Sequence, residues 1–249
     1  MKRIKLIIAY DGTHYCGWQI QINGITIEEV LNKHLSELLK ENICVIGASR
    51  TDSGVHALGN VAVFDTNNRM PAEKISFALN TRLPEDIRIQ HSCEVPADFH
   101  PRYAKSYKIY EYKILNCVFP NPIYRLYSLF CYVPLDVELM KEASVYLIGK
   151  HDFKSFCSIK TDAADTVREI YEISLIKEGD NIRIRIIGNG FLYNMIRIIV
   201  GTLMKVGKKE YPPEQVKEIL AAKNRQAAGP TARAHGLTLV EIGYEDMEL

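Results

Sequence analysis

The stretch GASRTDSGVHA, Gly47 to Ala57, gathers the residue types that could do chemistry. It sets Arg50, Thr51 and Asp52 between two apolar runs, Ile43–Ile46 and Val61–Phe64, that both read as buried strands. Gly54 can take backbone angles closed to other residues, so Asp52 is expected at the tip of a tight loop. A carboxylate mounted there can attack as a nucleophile or assist removal of a proton. The sequence leaves these two open. Arg197 is the second candidate, because FLYNMIRIIVGTLM, from Phe191 to Met204, carries no other formal charge. A guanidinium in an apolar helix either snorkels to the surface or meets an anion. Asp52 is the natural anion, with the charged groups expected within about 4 Å. Tyr110 is the third. In KIYEYKI it shares one face of a strand with Tyr112. Tyr112 reads as core, whereas Tyr110 could serve as a stacking platform for a base, a contact worth ~1–3 kcal/mol.

These side chains need a frame, and hydrophobic periodicity supplies one. Lys2–Tyr10 alternates as a strand closed by Asp11-Gly12. Thr26-x-x-Glu29 is a capping box opening a helix to about Lys40, and Pro71 starts a second. Tyr107–Leu115 reads as a long strand, and Asp136 caps a helix. Glu169–Lys177 and Asn181–Ile187 read as a hairpin about Gly179. Phe191–Val206, apolar almost all round, reads as a buried helix. Pro212-Pro213 opens another helix to about Lys223, and Leu237–Tyr244 alternates as a last strand. The pattern predicts an α+β chain of two lobes, residues 1–104 carrying Asp52 and residues 105–249 carrying Tyr110 and Arg197.

Composition narrows the class. The chain has 249 residues, 47% hydrophobic and 24% charged, as in a soluble globular protein. No apolar run is long enough for a membrane span, and Met1-Lys2-Arg3-Ile4-Lys5 leads straight into a strand, so no signal peptide or membrane association is expected. Six cysteines without a Cys-x-x-Cys pair fit a reduced, cytoplasmic chain, and with no two cysteines or histidines at ligand spacing no metal is expected. With 31 basic and 30 acidic residues the net charge is +1, which counts mildly against a nucleic-acid partner unless a basic groove is balanced elsewhere.

The string around Asp52 closely resembles the catalytic motif of the tRNA pseudouridine synthase A family. Five further segments resemble that family in its order: YDGTxYxGWQ at Tyr10–Gln19, FHxR at Phe99–Arg102, the Tyr-x-Tyr strand, FxxxMxR at Phe191–Arg197, and AGPTAxAHGL at Ala228–Leu237. Ser49 stands where the family commonly has glycine, and Arg233 where proline is usual. The resemblance implies the pseudouridine synthase fold, with an active-site cleft between two lobes whose sheets carry helices on one face. It implies a cofactor-independent isomerase that converts uridine to pseudouridine in the anticodon stem-loop of tRNA, at positions 38–40. It also implies Asp52 as the catalytic aspartate, Arg197 as its ion-pair partner, Tyr110 stacked on the target uracil and Arg50 filling the space the base leaves. A homodimer bound across tRNA follows from the same resemblance, and the aromatic run Tyr124–Tyr132 lends it weak support. Other readings are the same chemistry on ribosomal RNA, an RNA-binding module without activity, and an unrelated aspartate hydrolase.

Overall fold

The computed structural model describes residues 1–158 and 165–244. Contacts divide them into two compact units, Met1–Ser106 with the chain from Thr238 onward, and Tyr107–Leu237. The last strand, expected in the second lobe, joins the first unit by pairing with it.

The first unit runs β1 (Lys2–Tyr10), α1 (Ile27–Leu39), β2 (Ile46–Gly47), β3 (His56–Thr66), α2 (Ala72–Asn80) and β4 (Ile87–Val95). β1 lies between β4 and β3, antiparallel to both. Ile4, Leu6, Ile8 and Tyr10 are all buried, as the alternation predicts, and Lys5 on the other face is buried as well. The side chain of Thr26 accepts from the Glu29 amide, and Ile27, Leu31, Leu35 and Leu39 recur every fourth residue as the buried stripe of α1. α2 packs on β4.

Two features depart from the periodicity reading. β4 was not expected, because a register shift opposite Ile7 and Ile8 breaks its alternation, so that Ile87 and Ile89 are buried and then Ser92 and Val95. The run from Ile43 is strand only at Ile46–Gly47. The amides of Ile43 and Val45 go instead to Ser36 Oγ and Asn32 Oδ1 of α1, at 2.9 and 2.8 Å.

The second unit runs β5 (Ser106–Leu115), β6 (Leu129–Phe130), α3 (Val137–Val145), β7 (Gly149–Asp152), β8 (Val167–Glu178), β9 (Asn181–Gly188), α4 (Met195–Gly207) and α5 (Gln215–Ala222). Its sheet has the order β5-β9-β8-β7, with β6 beside β5. Register lines up the core face across three strands: Tyr110 is opposite Ile186, which is opposite Ile173, and Tyr112 is opposite Ile184, which is opposite Leu175. α3 packs on α4 and β8, and Ile198, Ile199, Val200 and Leu203 of α4 are fully buried. β10 (Leu237–Tyr244) then pairs parallel with β3 through Thr238 and Leu239 in the first unit. Among the described residues no helix is long and apolar enough to cross a membrane.

One ion pair ties β1 to β3. Arg3 Nε and Nη2 donate to Asp65 at 2.8 and 2.7 Å, across directly paired positions, and Nη1 donates to the Phe99 carbonyl at 3.0 Å. The hydrogen bonds from Arg3 hold the Asp65 carboxyl below its ordinary range against a smaller opposing effect of burial. Because folding lowers this pKa, the pair stabilises the fold above the ordinary carboxylate value. That contribution drains away as pH falls through the lowered pKa. Both side chains are partly exposed, so Asp65→Asn should cost only about 0.5–1 kcal/mol at pH 7. The gap in urea unfolding between the two proteins should then begin to close below about pH 4, and a gap as large at pH 2 as at pH 7 would contradict the assignment.

Candidate active site

Asp52 sits where the sequence puts it, on a loop tip of the first unit, half-buried between exposed Arg50 and Ser53. The Val55 amide donates to the Asp52 carbonyl at 3.1 Å, and Gly54 supplies the positive φ of 76° that closes the turn. The loop is braced by the segment Tyr10–Trp18, the YDGTxYxGWQ string. Trp18 N donates to Thr51 O at 3.0 Å, Gly54 N to Tyr15 O at 3.4 Å, and Ser53 Oγ to Tyr15 O at 3.2 Å. The hydroxyls of Tyr10 and Thr51 are 2.7 Å apart, and the wholly buried Asn60 donates to both Tyr10 Oη and the Ser49 carbonyl. Two glycines permit this approach. A Cβ on Gly12 would lie 2.0 Å from Val55 O, and one on Gly17, whose φ is +85°, would lie 2.5 Å from Thr51 O.

The base of the loop is fixed as well. The Trp18 indole lies against Gly47, where a Cβ would come within 2.4 Å of the ring. Arg102, from the FHxR string, donates to Gly47 O at 2.9 Å. Burial, and then the nearby Arg50 charge, push the Arg102 pKa down. Thus two cations flank the aspartate loop within this unit.

Tyr110 and Arg197 belong to the second unit. Tyr110 is buried and meets Phe191 edge to face, with centroids 5.4 Å apart. Tyr112 is core, as read: its hydroxyl donates to Arg233 O at 2.7 Å, and burial raises its phenol pKa. The helix expected from Phe191 begins at Met195, because Asn194 takes a left-handed φ of 61° and residues 191–194 precede the first turn. The half-buried Arg197 is clamped: Nε donates to Ala232 O and Nη1 to Asn194 Oδ1, each at 2.7 Å. The Ala232 amide returns a bond to Arg197 O at 3.0 Å. Thus the AGPTA string lies along α4 main chain to main chain. Gly229 N donates to Thr202 Oγ1 at 2.9 Å, and a Cβ on Gly201 would stand 1.8 Å from Pro230 O.

Asp52 and Arg50 therefore share one loop, while Tyr110 and Arg197 share the second unit through the Phe191–Arg197 segment. Sequence reasoning missed the residues that hold them: Tyr10, Thr51 and Asn60 around the aspartate, Asn194 and Ala232 around the arginine. The strings containing Tyr10 and Ala232 were visible, but their bracing role needs coordinates. Asn60 lies just before an apolar run and gave no signal. Among the described residues, no group of three or more His, Cys, Asp or Glu is placed to hold a metal ion.

The molecule is thus an α+β protein with a loop-mounted aspartate in one unit and a main-chain-clamped arginine in the other. Residues 6–104 and 143–245 match a family model described as tRNA pseudouridine synthase. The chain is 46% identical over 244 residues to tRNA pseudouridine synthase A of Thermoanaerobacter sp. (strain X514), covering 98% of this chain and 100% of that protein. It is 44% identical over 248 residues to the protein of the same name from Bacillus pumilus (strain SAFR-032), again over 98% and 100% of the two. The chain belongs to the tRNA pseudouridine synthase family.

The brace around Asp52 can be tested without any substrate. Tyr10→Phe removes the hydroxyl that joins Thr51 to Asn60 and leaves buried polar groups short of a partner. It should lower stability by about 1–3 kcal/mol, read as a lower urea midpoint with an unchanged slope. A midpoint equal to wild type would mean that the hydroxyl carries no part of the brace.

Proposed function

We propose that the protein is a tRNA pseudouridine synthase, an isomerase that converts uridine to pseudouridine in tRNA. The observation that carries this reading is its near-full-length likeness to relatives of that name. The braced Asp52 loop supports it, since a rigid carboxylate on a partly exposed tip is what such chemistry needs.

The reaction exchanges one bond for another. The N1–C1′ bond breaks, the uracil turns, and C1′ bonds to C5. The proton from C5 leaves and N1 gains one, so no electrons or groups are exchanged with another molecule. Asp52 is the catalytic carboxylate, acting either as a nucleophile or in the proton transfer. Arg197 is its charge partner and keeps it ionised. Tyr110 stacks on the target base, and Arg50 occupies the space the base vacates. The anticodon stem-loop is the target region by resemblance to the family.

A homodimer belongs to the same proposal. Val118, Phe119, Ile123 and Tyr132 are all at least 70% exposed in the single chain, an apolar share that a partner subunit would cover. A cytoplasmic location fits a tRNA substrate.

The test is direct. Purified protein incubated with unmodified tRNA should yield pseudouridine, mapped by carbodiimide treatment and primer extension. Asp52→Asn should abolish product while gel-shift affinity stays near wild type, because phosphate contacts dominate RNA affinity. Affinity that falls in step with activity would make Asp52 an organiser of the site, and product from Asp52→Asn would remove it from the chemistry.

A further inference from the structure

Among the described residues four non-glycine residues have positive φ: Lys40, Asn194, Lys209 and Lys223. Three of them lie at or just past a helix C-terminus, where the left-handed conformation is the ordinary way to end a helix. Asn194 is different. It occupies the N-cap of α4, a position that normally takes extended backbone angles.

An N-cap asparagine ordinarily accepts a hydrogen bond from one of the first helical amides. Asn194 makes no such bond. Its Oδ1 instead accepts from Arg197 Nη1 at 2.7 Å. The residue thus takes a disfavoured backbone conformation and forgoes its capping bond, and the visible gain is one oxygen placed on the guanidinium. Asparagine tolerates this conformation better than other non-glycine residues, and such an outlier beside a candidate site motivates a functional hypothesis. The second grip on the same guanidinium, from Ala232 O to Nε, leaves the planar group little rotational freedom.

We propose that Asn194 is a positioning residue that sets the orientation of the Arg197 guanidinium for uridine isomerisation. This rests on the role given to Arg197 above. Ala232 O and Asn194 Oδ1 are neutral acceptors, so these two bonds orient the guanidinium without themselves supplying a counter-charge. Asn194 therefore acts through Arg197 and need not touch the RNA.

Two variants separate positioning from folding. Asn194→Gly removes the oxygen but suits the left-handed backbone, so it should keep the fold and melt above Asn194→Ala. Asn194→Ala removes the same oxygen and suits that backbone poorly, so it should melt lower. Under single-turnover conditions with unmodified tRNA, both should lose rate by roughly ten- to a hundredfold, with half-saturating enzyme concentrations within about twofold of wild type. Added to Arg197→Ala, Asn194→Gly should change nothing further. A wild-type rate in Asn194→Gly overturns the positioning role alone, as does a rate loss confined to the less stable Asn194→Ala. An active Arg197→Ala overturns it together with the role of Arg197, and no product from wild type overturns it together with the enzymatic reading.

Discussion

Main chain packs against main chain where Asp52 is mounted, and the contact leaves no room for a side chain at Gly12 or Gly17. Much of the first unit's design follows from that. A loop tip is by default the least ordered part of a fold. Here the tip carries the Asp52 carboxylate, and three hydrogen bonds shared with the Tyr10–Trp18 segment brace the loop on either side of it. The buried Tyr10–Thr51–Asn60 cluster fixes one side chain of the loop from below. Asp52 itself stays partly open to solvent. The result is a rigid mount with an accessible group, the combination that lets a carboxylate act without reorganising.

The second unit solves the same problem for a cation by other means. Burying a guanidinium is expensive unless its donors are met. The Ala232 carbonyl and the Asn194 amide oxygen, both neutral acceptors, meet two of those donors. The strap from Ala228 to Gly236 is itself pinned to its surroundings, by Gly229 on Thr202 and by Tyr112 on the Arg233 carbonyl. Hence Arg197 is aimed by a segment some thirty residues downstream, not by its own helix alone.

How much of this could be read beforehand depends on the kind of signal. Elements with clean periodicity were legible: β1, α1 with its Thr26 cap, α3 with Asp136, the hairpin of β8 and β9, and β10. β4 was not, because its register shift scrambles the alternation. The length of β3 was hidden as well, since His56 and Asn60 are polar residues buried in its first half. The candidate residues stood out as charges and aromatics in unusual company. Their supports did not, because Asn194 looks like any polar residue near a helix start until its φ is known.

Gly201 makes the same point from the opposite side. In sequence it is a weakness, a glycine inside an apolar helix, worth about 1 kcal/mol against alanine. In the fold it faces the strap, and a Cβ there would collide with the Pro230 carbonyl at 1.8 Å. Gly229 answers it across the contact, where a Cβ would lie 2.7 Å from the Thr202 Cα. The two backbones can approach only if both positions stay bare, and only that approach lets Ala232 exchange two hydrogen bonds with Arg197. A local loss of helix stability at Gly201 is thus what allows the strap to reach the arginine.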